Sequence, residues 1–222
     1  MKKHRIFSSM LSIMEPTFFH FYRQVFVHPQ QAFRHLIAAK QMLRYSFFAV
    51  LIMATLYTFV YVFLIFGGGM PFKPWLNIPP EVYYRYNVFF CAPSMFLGWI
   101  FAAGVMHVLS RFMTQSGTFE QTLVVLGFGI GIASWSTGVH DLLTSFLGAI
   151  HVIDQREYEV ALNSHTIWRY LLWAQMLLYV VWFVFLFAKG SRVVYSVNRA
   201  QAFWLGLIGF LAYQFFFFIF NR

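Results

Sequence analysis

The sequence is organised as long apolar runs separated by short polar or basic stretches. No Asp, Glu, Lys or Arg lies between Arg44 and Lys73. Within this gap, residues 45–66 are enough for about 33 Å of α-helix. That length crosses the hydrocarbon core of a bilayer, and Gly67, Gly68, Gly69 and Pro71 then end the run. The pattern predicts a first membrane span at residues 45–66.

The same reading predicts four further spans. The second span, at residues 87–109, lies in the charge-free gap between Arg85 and Arg111. The third, fourth and fifth spans are predicted at residues 122–139, 170–188 and 202–220. The third region is irregular, because Asp141 is the only charged residue between positions 122 and 153. This stretch is too long for one ordinary span. We therefore expect the third span to end near residues 138–141 and residues 142–153 to form an interfacial or re-entrant segment.

The first 44 residues are predicted to form a cytoplasmic amphipathic segment. Phe18, Phe21, Tyr22 and Val25 recur at helical spacing, and Pro29 separates this helix from a second one over residues 29–44. Two arrangements stay open at this point. The helices either lie on the cytoplasmic leaflet or pack on the protein's own loops.

Composition supports lipid as the main solvent of the chain. Of its 222 residues, 60% are apolar and 10% are charged, whereas soluble domains are about 25% charged. Eleven of the 16 Lys and Arg residues fall on the N-terminal side of a five-span arrangement and five on the other side. The positive-inside rule then predicts a cytoplasmic N-terminus and an external C-terminus. The predicted fold is an all-α integral membrane protein, with a bundle of about five transmembrane helices at residues 45–222 after the interfacial helices.

Three stretches, in order along the chain, carry a family resemblance. Residues 26–36 precede the first span with the sequence FVHPQQAFRHL, and residues 116–123 open the Gly-rich third span with SGTFEQTL. The last pair of spans contains Ile167-Trp168, Gly190-Ser191 and Ala200. Together they resemble the Yip membrane-protein family, the Ypt/Rab-interacting membrane proteins, and the short basic N-terminus is similar to its bacterial branch. The family usually has Pro within the third span, where Ala133-Ser134-Trp135 stands here, so the resemblance gives no reason to expect a kink. It implies a non-enzymatic bundle in a bacterial cytoplasmic (inner) membrane that binds other membrane components.

One polar cluster lies at membrane depth. His140 and Asp141 follow Ser134, Ser136 and Thr137 in the third span. An ionisable pair in a span is a functional-site hypothesis, because burying it in lipid is costly. The alternative is that the pair marks the outer end of the span, where headgroup water solvates it.

Small residues indicate where helices pack closely. Gly127 and Gly131 lie four residues apart on one helical face, and Gly98 and Gly206 each have an alanine at the same spacing. We find no nucleophile–base arrangement, paired carboxylates or phosphate loop, and predict no catalytic residue, cofactor or metal site. The basic residues flank apolar runs rather than alternating with exposed aromatics, so nucleic acid is not an expected partner.

The leading functional hypothesis is a protein that binds or organises membrane proteins or lipids. Anionic headgroups are the expected partners of the basic N-terminal segment, together with a membrane-protein partner or a second copy of the chain. Two alternatives remain, namely a small ion or solute transporter using the cluster around Asp141 and an accessory subunit of a larger membrane complex. The first, fourth and fifth spans contain no ionisable residue except tyrosines, which favours binding over transport.

Overall fold

The computed structural model describes residues 17–71, 76–114 and 116–220, and within these ranges the regular structure is helical. Two short helices precede the bundle, and a third crosses its opposite end. The helices are α1 (Phe18–Val27), α2 (Pro29–Leu36), α3 (Met42–Phe66), α4 (Pro80–Ser110), α5 (Phe119–Ala133), α6 (Trp135–Ala149), α7 (Gln155–Asn163), α8 (Ile167–Tyr195) and α9 (Arg199–Phe220).

The prediction of an all-α membrane bundle with about five spans is confirmed. Helices α3, α4, α8 and α9 are each long and apolar enough to cross a bilayer. Helices α5 and α6 form a further pair, bent by 43° at a one-residue break. We call the end where α3, α5 and α9 begin the basic end, because it carries Arg44, Arg111 and Arg199, and the opposite end the far end.

The bent pair runs beside α3 along its whole length. Near the basic end, the Ser46 hydroxyl donates to the carbonyl of Val124 over 3.2 Å. At the far end, Gly67 lies so close to Gly148 that a Cβ on Gly67 would be 3.0 Å from the Gly148 carbonyl carbon. Contacts at both ends of α3 indicate that α5 and α6 form one bent span.

Helix α6 extends beyond residues 138–141, where the third span was expected to end. It continues without interruption to Ala149, so residues 142–149 are part of the same helix as His140 and Asp141. A bent or tilted helix follows a longer path through the bilayer than a straight one, and so it accommodates more than 20 residues. That residues 142–153 form an interfacial or re-entrant segment stays a prediction.

The bend at Ser134 has an identifiable cause in the N-terminal helix α1. The Tyr22 hydroxyl donates a hydrogen bond to the Gly131 carbonyl, which in an uninterrupted helix accepts from the backbone N–H of Trp135. The Trp135 indole N–H in turn donates to the Tyr22 oxygen over 2.6 Å. A side chain inserted into the helical hydrogen-bond ladder is a known cause of kinks. The bend thus forms without proline.

Helices α1 and α2 pack against the bundle. Helix α1 contacts α5 and helix α2 contacts α8, and the residues buried there are Phe21, Val25, Ala32, Phe33 and Leu36. Phe18 lies 5.9 Å from Phe128, measured between ring centroids. Arg23 and Arg34 are exposed on the opposite faces. The amphipathic pattern of this segment therefore corresponds to docking on the protein's own spans, with the basic side chains outside.

The bend moves the third span from the centre of the bundle to its edge. Every residue from position 124 to 134 is buried among α3, α4 and α8. In α6 only Thr137, Gly138, Ser145 and Gly148 are buried, while Val139, Leu143 and Phe146 are exposed on the lipid-facing surface. Only the half of the bundle nearer the basic end therefore has a central helix.

The glycines singled out in the sequence lie at close helix contacts. A Cβ on Gly131 would be 2.8 Å from the Ala49 carbonyl oxygen, and one on Gly206 would be 2.8 Å from the Val184 carbonyl oxygen. Gly98 faces Tyr213, and Gly127 faces the Ser46 hydroxyl and Trp99. Without a hydrophobic effect between helices in lipid, such close backbone approach is a main source of association.

We predict that Gly131→Ala destabilises the protein by roughly 1–3 kcal/mol, because the added methyl overlaps backbone atoms of α3 that have no room to move. Gly104→Ala in α4 is the matched control, since a Cβ there meets nothing within 4 Å. The control should be neutral or slightly stabilising. Thermal unfolding of the two purified variants in detergent tests this. Equal melting temperatures would contradict the assigned α3–α5 contact.

Candidate functional site

A cavity of about 300 Å³ lies in the far half of the bundle, where α6 has moved away from the centre. Each of the five spans contributes to its wall, and α7 crosses its far end. Its polar lining consists of Tyr57, Tyr61, Tyr84, Thr137, His140, Asp141, Thr144, Gln155, Tyr158, Tyr179 and Glu159. The cavity is therefore a product of the whole fold rather than of one motif.

His140 is held between two partners at the cavity wall. Its Nδ1 lies 3.0 Å from an Asp141 oxygen, and its Nε2 lies 2.7 Å from the Tyr158 hydroxyl. Because an ionised carboxylate only accepts, Nδ1 carries the proton, and in the neutral ring Nε2 accepts from Tyr158. The side chains of His140 and Asp141 are 34% and 32% exposed, so both are open to the surroundings of the cavity.

The structure brings together three of the five residues predicted as a polar site. Thr137, His140 and Asp141 line the cavity, and the Thr137 hydroxyl is 2.5 Å from that of Tyr57. Ser134 is buried at the bend. The Ser136 hydroxyl donates to the carbonyl of Ala133 over 2.6 Å, away from the cavity. These two serines therefore belong to the break in the helix.

Sequence reasoning missed the contribution of α7. Asp154 caps this helix by accepting from the backbone N–H of Glu157 over 2.9 Å. An Asp followed three residues later by Glu is a helix-start signal, so the element was detectable in the sequence. Its contact with α6, which brings Tyr158 to His140, is a tertiary feature that no local pattern contains.

Glu159 is the second carboxylate of the cavity. Its oxygens accept from the backbone N–H of Met70 over 3.0 Å and from the Gln155 amide over 3.3 Å. Burial raises the pKa of Glu159 above its ordinary value, and these two hydrogen bonds only partly oppose the shift. Burial likewise raises the pKa of Tyr158, with a further contribution from the charge of Asp141. Both shifts are consequences of a confined, acidic environment.

The described lining of the cavity contains the carboxylates of Asp141 and Glu159 and neither Lys nor Arg. Across residues 17–71, 76–114 and 116–220, no three His, Cys, Asp or Glu side chains lie close enough together to hold a metal ion. His107 lies at the basic end, 3.2 Å from the Arg111 guanidinium, and is far from His140. The arrangement is suited to holding a polar or cationic group by hydrogen bonds and charge.

Fold and site together define a polytopic, all-helical membrane protein with a polar cavity in one half of its bundle. The model of the Yip1 domain family matches residues 23–220, which include all five spans. The chain belongs to the Yip1 domain family. Comparison with curated proteins and with solved structures gives no match.

The raised pKa of Glu159 predicts a specific pH dependence. A carboxyl whose pKa is higher in the folded state stabilises the fold while it is protonated, and this contribution is lost as the pH rises through the folded-state pKa. The melting temperature of the wild type minus that of Glu159→Gln should therefore fall as the pH rises from about 4.5 towards neutrality, because only the wild type has a carboxyl to ionise. The amide retains an oxygen to accept from Met70.

Glu157→Gln makes the same change on the exposed face of α7 and serves as the control. Unfolding curves of the three proteins in one detergent, measured across this pH range, provide the test. A pH-independent difference between the wild type and Glu159→Gln would mean that the carboxyl titrates as it does in the unfolded chain.

Proposed function

We propose that this protein is a non-enzymatic membrane protein that binds a phospholipid in the far cavity. The main support for this proposal is the position of the cavity. The cavity lies among the spans, and side chains that face lipid flank its wall. Met176 of α8 and Phe218 of α9 both line it, and both are 41% exposed on the outer surface of the bundle. A headgroup in the cavity would leave its acyl chains beside these residues, in the bilayer. Family membership supports a role in binding membrane components.

The packing on the basic-end side of the cavity supports binding over transport. There α5 occupies the centre, and its neighbours include Ala49, Trp99 and Phe187, all of which are buried. The buried polar residues in the described part of the chain are Ser, Thr, Asn and Gln, without a charged one. A transport path is expected to place charged groups along its course, and the buried residues that the structure describes in this half of the bundle include none.

We further propose that the basic end faces the cytoplasm of a bacterial cell and contacts anionic lipid. Docking of α1 and α2 by their apolar faces leaves Arg23 and Arg34 exposed, beside Arg44 at the start of α3. Each basic residue near an anionic membrane surface contributes about 1 kcal/mol of attraction. The excess of Lys and Arg at this end also supports a cytoplasmic N-terminus and an external C-terminus.

Single cysteines in a Cys91→Ala background test this orientation in right-side-out membrane vesicles. Gln31→Cys and Arg199→Cys lie at exposed positions of the basic end and should be protected from an impermeant thiol reagent. Asn77→Cys and Glu157→Cys lie at exposed positions of the far end and should react. Detergent permeabilisation should make all four reactive. Labelling of the first pair with protection of the second would reverse the orientation.

Lipid binding is tested by filling the cavity. Thr144 lines it, and Thr144→Phe should occupy part of its volume and lower the retained phospholipid several-fold. Leu143→Phe is the matched control, because Leu143 is the adjacent residue and faces lipid with 55% exposure. Native mass spectrometry of the full chain after gentle detergent extraction measures lipid per protein.

Equal lipid retention by the wild type, Thr144→Phe and Leu143→Phe would overturn lipid binding in this cavity. Co-purification of a membrane protein that is lost only in Thr144→Phe, with lipid unchanged, would assign the cavity to a protein partner instead.

A further inference from the structure

The far cavity combines negative charge with aromatic walls. Asp141 and Glu159 approach it from α6 and α7, and the described lining contains neither Lys nor Arg. His140 also lines the cavity, and both of its ring nitrogens are engaged within it, by Asp141 and by Tyr158. Arg156 and Arg169 are not among the lining residues of the cavity. They line neighbouring recesses that share Glu159 and Met176, respectively, with it. An anionic ligand is therefore disfavoured in this cavity.

Besides the two carboxylates, the cavity has tyrosine rings, which are the second feature typical of a cation-binding site. Five tyrosines of the described chain line the cavity, namely Tyr57, Tyr61, Tyr84, Tyr158 and Tyr179. Tyr61 and Tyr84 lie 5.8 Å apart, measured between ring centroids, and come from different spans. The face of an aromatic ring attracts a cation, and several rings around a desolvated site are a recurrent means of binding alkylated or primary ammonium groups. Carboxylates next to such rings add charge-assisted hydrogen bonds.

The volume and the lining of the cavity indicate what kind of cation it can bind. A volume of about 300 Å³ is at the small end of the range for organic ligands and is much larger than a bare metal ion requires. The wall is mixed, with Leu64, Leu162 and Phe217 beside the polar groups. A small organic cation carrying an apolar portion matches both features.

We propose that the far cavity binds an ammonium group, supplied by the headgroup of an amine-bearing phospholipid such as phosphatidylethanolamine. This inference rests on the proposed lipid binding and adds the chemistry of the headgroup. The ammonium group donates to Asp141 and Glu159 and lies against the tyrosine rings, while the acyl chains extend past Met176 and Phe218. A free amine shares the same ammonium chemistry, so the experiment has to separate the two sources.

The test uses the purified full chain, loaded in separate samples with phosphatidylethanolamine or with phosphatidylglycerol of the same acyl chains. Native mass spectrometry measures how much of each lipid the protein retains. We expect the amine lipid to be retained at least about tenfold more strongly than the glycerol lipid. Asp141→Asn should reduce retention of the amine lipid about tenfold or more and leave that of the glycerol lipid unchanged. Glu157→Gln removes an equal charge from the exposed face of α7 and should leave both unchanged.

A competition arm distinguishes the sources of the ammonium group. Free ethanolamine in millimolar excess should displace little of the bound amine lipid, because it lacks the apolar contacts. Complete displacement, with calorimetric binding of free ethanolamine that is lost in Asp141→Asn, would assign the site to a soluble amine and overturn the lipid headgroup.

Two further outcomes separate the ammonium inference from the proposed lipid binding. Equal retention of both lipids, lowered by Thr144→Phe, would refute the ammonium inference and leave the proposed lipid binding intact. Retention that Thr144→Phe does not change would refute both. Thermal unfolding of Asp141→Asn in detergent verifies that the variant is folded, and if it is not, Glu159→Gln replaces it in the same comparison.

Discussion

The structure depends on the close packing of α5 in the centre of the bundle. Lipid offers no hydrophobic drive for two apolar helices to associate, so the spans need many van der Waals contacts at short distance. Helix α5 meets this requirement by having glycines where it meets neighbouring helices, with Gly131 against the α3 backbone and Gly129 against Phe187. Its hydrogen bonds reinforce the same contacts, since the Trp99 indole and the Ser46 hydroxyl both donate to the Leu123 carbonyl. The three spans α3, α4 and α8 are thereby packed around one central helix.

This central packing ends where α1 reaches the third span. The Tyr22 hydroxyl donates a hydrogen bond to the Gly131 carbonyl, and the helix bends by 43° just beyond it. Helix α6 then continues along the edge of the bundle. The four other spans do not close over the vacated centre, and their side chains enclose a cavity there. A contact made by a short helix before the first span thus lies at the level where the bundle changes from a filled half to a hollow one.

The sequence was sufficient for those features that depend on local composition. Charge-free runs located the spans because an unpaired charge in lipid is costly wherever it lies, and His140 with Asp141 stood out for the same reason. The course of the third span was not predictable in this way. Its bend depends on Tyr22, which is 109 positions away from Gly131, and no proline signals it. The other half of the site was missed because Tyr158 and Glu159 reach the cavity only once α7 has folded across the end of the bundle.

The geometry of the His140–Asp141 pair is compatible with both interpretations drawn from the sequence, a functional site and a solvated boundary. The pair does lie in the far half of the bundle and is about one-third exposed, as a solvated boundary residue would be. It is also fixed by Tyr158 in the wall of a cavity that contains a second carboxylate. Stability alone does not account for this arrangement, because a confined ion pair is often no more stabilising than apolar residues of the same volume. Burial raises the pKa of Glu159, because its ionised form is costly in this confined space. A bound cation beside Glu159 and Asp141 would stabilise the ionised carboxylates, which supports a site that is completed by its ligand.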